Sequence, residues 1–214
     1  MNKNIFTMVL FCFSFIFCPS ISNLENEVYT KVSEELCDIE EYGIKIEYLT
    51  NESINKELNN LYNSLKIKDF SIVEESEGGL YLENSSDEIK LNISLIKENG
   101  KNRVQIEIFS RYRIDFNYIK EYFQVIHNKN ISNIKYYTYI KGNIRENNNI
   151  DEIEKKIIES IGKKHVIESQ SINLENGTTG IINLKSDYQF NYSIMTYEED
   201  RKLILGTPII FTTY

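Results

Sequence analysis

The chain of 214 residues contains no tryptophan, two prolines, three cysteines and two histidines, and it has no alanine. Each scarcity removes a class of chemistry. Cys12 and Cys18 lie inside an apolar N-terminal run, so a chain that loses this run keeps Cys37 alone. It can then form no disulfide within itself and no multi-cysteine metal site. Cys37 is read as a small hydrophobe on the edge of a helix. His127 closes a predicted helix, where a cation is favourable against the dipole. His165 opens a predicted strand just after Lys163-Lys164. Both histidines are read as structural or solvated. No HExxH, no GxSxG and no phosphate-cradling glycine loop occurs. Missing alanine beside abundant Asn, Ile, Lys, Tyr and Glu is read as codon bias in an AT-rich genome.

What is present suffices for a globular fold. Hydrophobic residues make up 41% of the chain and charged ones 26%, ordinary proportions that allow a buried core and argue against general disorder. The length allows one large domain or two fused small ones. The formal net charge is −8.

The N-terminus has three parts. Lys3 is a short positive start, Ile5 to Cys18 is almost unbroken apolar sequence, and Pro19 ends it before Ser20-Ile21-Ser22. Small residues then stand at the −3 and −1 positions of a cut after Ser22, the pattern of a secretory signal. The run falls short of the roughly 20 apolar residues that span a bilayer. Residues 1–22 are therefore expected to be a signal peptide and the protein to be exported. Membrane contact is expected only if this segment stays uncleaved. Neither Cys12 nor Cys18 follows the small-residue run of a lipoprotein signal, which argues against lipidation. Cleavage removes one lysine and no acid, so the remainder is more acidic than the whole.

Two passes of one pattern follow. Leu24, Val28, Val32 and Leu36 predict an amphipathic helix over 24–38, which Gly43 is expected to stop. Ile44, Ile46 and Tyr48 alternate with Lys45 and Glu47 as a half-buried strand. Ile54, Leu58, Leu61, Tyr62 and Leu65 return to helical spacing, with Thr50 or Asn51 available as a cap. Strand signals then fall at 70–75, 80–83, 89–95 and 104–108, with Gly78-Gly79 as a turn. Asn99-Gly100 marks a tight hairpin. A helix near 115–128 capped by Asp115, a strand over 134–141, and a helix from about 150 to Gly162 begin the second pass. Strands near 165–171, 179–184, 188–197 and 202–212 complete it, with Asn176-Gly177 and Glu199-Asp200 in turns. The expected fold class is α+β: two pseudo-repeats of helix, strand, helix and four strands, covering 23–111 and 112–214. Helices would lie on one face of an antiparallel sheet, and the halves would pair edge to edge as one domain.

This order of elements resembles the TATA-binding-protein-like fold, with each repeat started one helix earlier. The tail Leu205-Gly206-Thr207-Pro208-Ile209-Ile210, followed by Thr212-Thr213-Tyr214, resembles the end of the YwmB-like proteins of spore-forming Firmicutes. Layout gives the likeness over the whole chain, and the tail is its one motif-grade match. The resemblance implies export, similar length and that fold. It implies no biochemical activity and no functional residues.

Function is left to the surface. On the sheet face away from the helices, alternation places Lys90, Asn92, Ser94, Gln105 and Glu107, and then Gln189, Asn191, Ser193 and Met195. This face is read as polar and nearly uncharged. Amides and hydroxyls there can bind a sugar or an extended peptide backbone, although any half-solvated antiparallel sheet shows alternating polar residues. The candidate binding residues are Asn92, Ser94, Gln105, Gln189, Asn191 and Ser193. An envelope polymer or an envelope protein is the expected partner. Acidic charge and export argue against nucleic acid. No catalytic residue, metal or cofactor is expected, and the protein is read as a non-catalytic envelope binding or structural protein. The alternative is a wall-polymer hydrolase using carboxylates that cannot be placed. Its acidic clusters would be Glu74-Glu75-Glu77 and Glu198-Glu199-Asp200, both beside turns. Which of Tyr136, Tyr137 and Tyr139 face solvent is left open.

Overall fold

A computed structural model describes residues 22–65, 71–76, 79–86, 88–126, 131–145, 149–185, 188–197 and 200–212. The predicted signal segment lies outside the described residues, except for Ser22, and so does His127. Among the described residues are four α-helices: α1 (Ser22–Glu35), α2 (Ile54–Leu65), α3 (Phe116–Ile126) and α4 (Ile150–Ile161). Ten strands accompany them: β1 (Cys37–Thr50), β2 (Ser71–Ser76), β3 (Gly79–Ser85), β4 (Ile89–Glu98), β5 (Lys101–Ser110), β6 (Ile131–Ile144), β7 (Val166–Leu174), β8 (Gly177–Leu184), β9 (Gln189–Tyr197) and β10 (Asp200–Thr207).

The strands form one sheet in the order β2-β3-β4-β5-β1-β6-β10-β9-β8-β7, and every pair in it is antiparallel. The fold is therefore α+β and dominated by strands. β1 and β6, each of 14 residues, run along one another at the centre. The order within residues 23–111 is thus repeated outward from the centre within residues 112–214.

Alternation assigns the two faces. Ile44, Ile46 and Tyr48 of β1, Val104 and Ile106 of β5, and Leu91, Ile93 and Leu95 of β4 are buried on one face. Phe190, Tyr192 and Ile194 of β9 and Leu203 and Leu205 of β10 continue that layer. Tyr29 of α1 lies over it and donates its hydroxyl to the Thr138 carbonyl at 3.1 Å. The helices cover this face, and the other face is open.

Local signals set most boundaries. Asn149 Oδ1 accepts from Glu152 N–H at 2.8 Å while Glu152 accepts from Asn149 N–H at 3.2 Å, a reciprocal cap for α4. Asp115 Oδ1 accepts from the N–H groups of Asn117 and Tyr118 and caps α3. Asn99 and Gly100 both have positive φ, 47° and 80°, as a tight hairpin demands.

Three expectations are corrected. α1 ends at Glu35, so Cys37 is the first residue of β1 and fully buried rather than on a helix edge. Gly43 stops no helix; it sits within β1 opposite Tyr139, and a Cβ there would collide with the tyrosine ring. The last strand ends at Thr207, before a cis Thr207–Pro208 peptide, and residues 208–212 fold back over the open face. β1 and β6 also run longer than their alternating cores, because each borrows hydrogen bonds from the other along its full length.

α1 is held by residues distant in sequence. Val28, Tyr29 and Val32 are buried, and Tyr29 meets Phe116 and Phe190 edge-on at 5.5 and 6.1 Å. At its C-terminus, where α1 has no basic residue of its own, the Arg145 guanidinium donates to the carbonyls of Ser33 and Glu34 at 2.7 and 2.6 Å. It also pairs with Asp38 at 2.7 Å. A helix from the first half of the chain is thus capped from the second.

Candidate functional site

The register arranges the open face in rows that cross the strands. Glu83, Asn92, Glu107, Lys45 and Tyr137 stand side by side on β3, β4, β5, β1 and β6. The next row is Tyr81, Ser94, Gln105, Glu47 and Lys135. Strands are spaced about 4.8 Å apart, so each row extends for roughly 19 Å.

These side chains bind one another sparingly. Gln105 Nε2 donates to Glu47 at 3.0 Å, and Lys90 pairs with Glu83 at 3.1 Å. Lys45 lies 3.8 Å from Glu107 and 5.9 Å from the Tyr137 ring centroid, a weak cation–π approach. Asn92 is only 8% exposed. Its Nδ2 has one long contact, 3.5 Å to Glu107, and its Oδ1 is buried without a hydrogen-bond partner. Reversing the amide would turn Oδ1 toward the Glu107 carboxylate, so the orphaned oxygen is not removed by a flip. An unpaired buried acceptor costs about 1–3 kcal/mol.

The six predicted binding residues all lie on this face, in two groups. Asn92, Ser94 and Gln105 are adjacent. Gln189, Asn191 and Ser193 lie on β9, four strand spacings from β5, or roughly 19 Å. Between the groups lies the tail. Phe211 packs against Tyr139, with ring centroids 4.9 Å apart, and against Phe109 and Tyr137 at 6.3 and 6.4 Å. Asn191 donates its amide to the Pro208 carbonyl, and Gln189 donates to Asn191 at 3.2 Å. The second group is therefore tied to the tail and to itself.

The face is also richer than expected. Counting only β4, β5 and β9 made it polar and nearly uncharged. The central strands add Lys45, Glu47, Lys135, Lys141, Tyr137 and Tyr139, which the period of two places there once β1 and β6 are known to be interior. Tyr139 is fully buried because the tail covers it. Its phenol, donating to Glu41 at 2.5 Å, is pushed above the ordinary tyrosine range by burial and then by that carboxylate. Tyr136 points the opposite way, donating to the Lys120 carbonyl under the helices.

Beside the tail a cleft of about 670 Å³ opens among Glu40, Glu41, Lys90, Arg111, Lys141 and Lys202. Its charges are largely spent internally: Lys202 and Asn143 bind Glu40 at 3.2 and 2.7 Å.

Other candidate chemistry is dispersed. Cys37 is buried and its thiol is pushed up to about 12, chiefly by burial, so it is no thiolate at neutral pH. His165 is exposed in a 3-10 turn before β7. The Glu74, Glu75, Glu77, Glu198 and Glu199 side chains lie outside the described residues, and Asp200 is exposed on β10. Four Ser-x-x-Lys spacings occur, Ser53–Lys56, Ser94–Lys97, Ser132–Lys135 and Ser160–Lys163; Ser160 donates to the Lys156 carbonyl at 2.9 Å and Lys163 pairs with Glu159 at 3.1 Å. Ser53 is exposed at the start of α2 and Lys56 pairs with Glu52 at 2.6 Å; Lys135 is exposed on the open face. Glu25 is 2% exposed under the helices, bound to Lys120 at 2.5 Å. Burial holds its carboxyl above the ordinary range while the Lys120 charge opposes this. Among the described residues no three His, Cys, Asp or Glu side chains gather as a metal site, and no helix is long and apolar enough to cross a membrane.

Compared with known proteins, the chain matches no family model and no curated protein.

Proposed function

We propose that this is an exported, envelope-associated binding or structural protein, and that it engages an extended envelope polymer through the polar rows of β3, β4, β5, β1 and β6. The observation that carries the reading is Asn92: a nearly buried amide oxygen without a partner, in the middle of a row of amide, carboxylate and ammonium groups. A hydroxyl or N–H donor lying across the strands would satisfy it once the Asn92 side chain turned outward, since the oxygen itself is buried in the free protein. Donors and acceptors at strand spacing suit a chain carrying such groups repeatedly, which describes a glycan or an extended peptide.

Export rests on the three-part N-terminus, with residues 1–22 as signal and 23–214 as one domain of two related halves. The outward-repeated strand order supports a TATA-binding-protein-like arrangement. Kinship with the YwmB-like proteins rests on the tail sequence Leu205-Gly206-Thr207-Pro208-Ile209-Ile210 alone. A hydrolase would need two carboxylates sharing a cleft with one held protonated. The raised carboxyl, Glu25, has a lysine partner beneath the helices instead, so nothing favours that alternative.

The test is retention of residues 23–214 on purified wall polymer. Asn92→Leu and Gln105→Ala together should abolish retention without lowering the melting temperature, since Leu removes the orphaned buried acceptor. Gln189→Ala with Ser193→Ala should change it little. Unchanged retention in the first pair would overturn the reading.

A further inference from the structure

The two edges of the sheet are built differently. β2 has six residues, a register break between Ile72 and Glu74, and acids at Glu74 and Glu75. Short length, irregularity and charge are how sheets keep an edge from pairing. β7 has nine residues, is exposed from Ile167 through Leu174, and breaks register only near its start. Its one charged residue, Glu168, already accepts from Gln170 at 2.7 Å. Ile167, Ile172 and Leu174 are 65%, 66% and 45% exposed, and Ile181 beside them on β8 is 39% exposed. Four of the nine large hydrophobic side chains exposed among the described residues thus fall on two neighbouring strands, which makes this edge a patch rather than a scatter.

We propose that β7 is a self-association edge, pairing antiparallel with β7 of a second copy about a twofold axis at Gln170. The charges select this occupant and this direction. Basic residues precede the strand, Lys163-Lys164-His165, and an acid follows it, Glu175. Antiparallel pairing about Gln170 brings the turn that carries Glu175 of each copy toward the basic turn, Lys163 to His165, of the other, at both ends. Ser169 then faces Ser171 and Glu168 faces Ile172, so no acid opposes an acid. Parallel pairing would set the basic segments together and the two Glu175 side chains together. On each side of the axis Ile172, Leu174 and Ile181 then form an apolar patch on the open face that runs up to the seam, with the Gln170 pair between the two patches. This edge lies away from the polar rows of β3 to β6, so the two proposals succeed or fail separately.

The chain from Ser22 onward retains every described element. Its sedimentation equilibrium over ~1 to ~100 µM should show a monomer–dimer exchange, because a contact of one strand edge is small. Ile172→Lys should weaken association at least about tenfold without moving the melting temperature, since the side chain is exposed. Opposed residues of an antiparallel pair are about 4.5–5.5 Å apart, within disulfide reach. With Cys37 buried, Gln170→Cys should therefore give a disulfide-linked dimer under mild oxidant, whereas Tyr112→Cys should not. A chain that stays monomeric throughout overturns the proposal. So does a dimer indifferent to Ile172→Lys that does not cross-link at position 170, and so does a monomer that takes up an extended peptide along β7.

Discussion

Where β3, β4 and β5 turn toward the open face, they show Glu83, Asn92, Gln105 and Glu107; where β10, β9 and β8 do so, they show Ile204, Ser193, Asn191 and Thr179. One side carries charges and an amide oxygen without a partner. The other carries hydroxyls, apolar side chains and Lys202, which is paired with Glu40, and its amides are engaged by the tail and by each other. Both sides use the same strand order and bury the same kind of aliphatic layer beneath the helices. The comparison teaches that a shared backbone plan fixes which positions face outward and leaves their chemistry free. The proposed binding therefore falls on the side where a buried amide oxygen lacks a partner.

The largest test strikes the seam between the two sides. Gly43→Val places a side chain into the Tyr139 ring. It should cost ~3 kcal/mol or more, lowering the melting temperature by roughly 6–12 °C in a circular-dichroism scan. Gly180→Val, which strikes the Tyr192 ring, should cost a similar amount. A Gly43 variant that melts like the parent would mean that Tyr139 is not held over β1.

Next is the ion pair between α1 and α3, which ties the first half of the chain to the second. Lys120→Met leaves Glu25 buried without a counter-charge and should cost ~3 kcal/mol at neutral pH. The Glu25 pKa is raised above 4.5 in the folded chain, so across that window the native state holds a proton that the unfolded state has released. Stability should consequently be greatest below pH 4.5 for this group and fall as pH rises through the raised value. Glu25→Gln should remove that slope and Lys120→Met should steepen it; parallel stability–pH curves for all three proteins would sink the assignment.

A smaller effect concerns the tail. Phe211→Ala should cost ~1.5 kcal/mol, since the ring is half-buried and a fully buried one costs about twice that. The same change should expose Tyr139, read as increased quenching of tyrosine fluorescence. The smallest contrast is between the two helices that follow the central strands. α4 has a reciprocal cap, whereas Lys56 N–H reaches Ser53 Oγ at 3.4 Å in α2. Asn149→Ala should cost ~1 kcal/mol and Ser53→Ala ~0.3 kcal/mol. Equal losses in thermal melts would erase this difference between the halves.

Much of the layout was legible because it is written in local spacing. The hairpin at Asn99-Gly100, the Asp115 cap and the boundary at Gly162 all act within a few residues. The six candidate binding residues fell on the open face because alternation is a property of the strand itself. Gly43 was misread because a glycine after a helical run looks like a stop. Its real reason is a tyrosine ring from a strand 96 positions along the chain. The tail was read as strand because Ile209, Ile210 and Phe211 are good strand formers, and no local signal says that an aromatic bed awaits them. Tyr137 and Tyr139 were left unassigned because their facing depends on which strands become interior.

By itself, then, the sequence determined the class of the fold, the order of its elements and most of their boundaries, since hydrophobic period, caps and turn residues operate over a few bonds. Tertiary structure alone decided that β1 and β6 would pair, that Arg145 would cap α1, that Glu25 would meet Lys120, and that the tail would cover Tyr139. Each of these joins residues far apart in the chain, and their free energy arises only when burial has removed the water that would otherwise satisfy them.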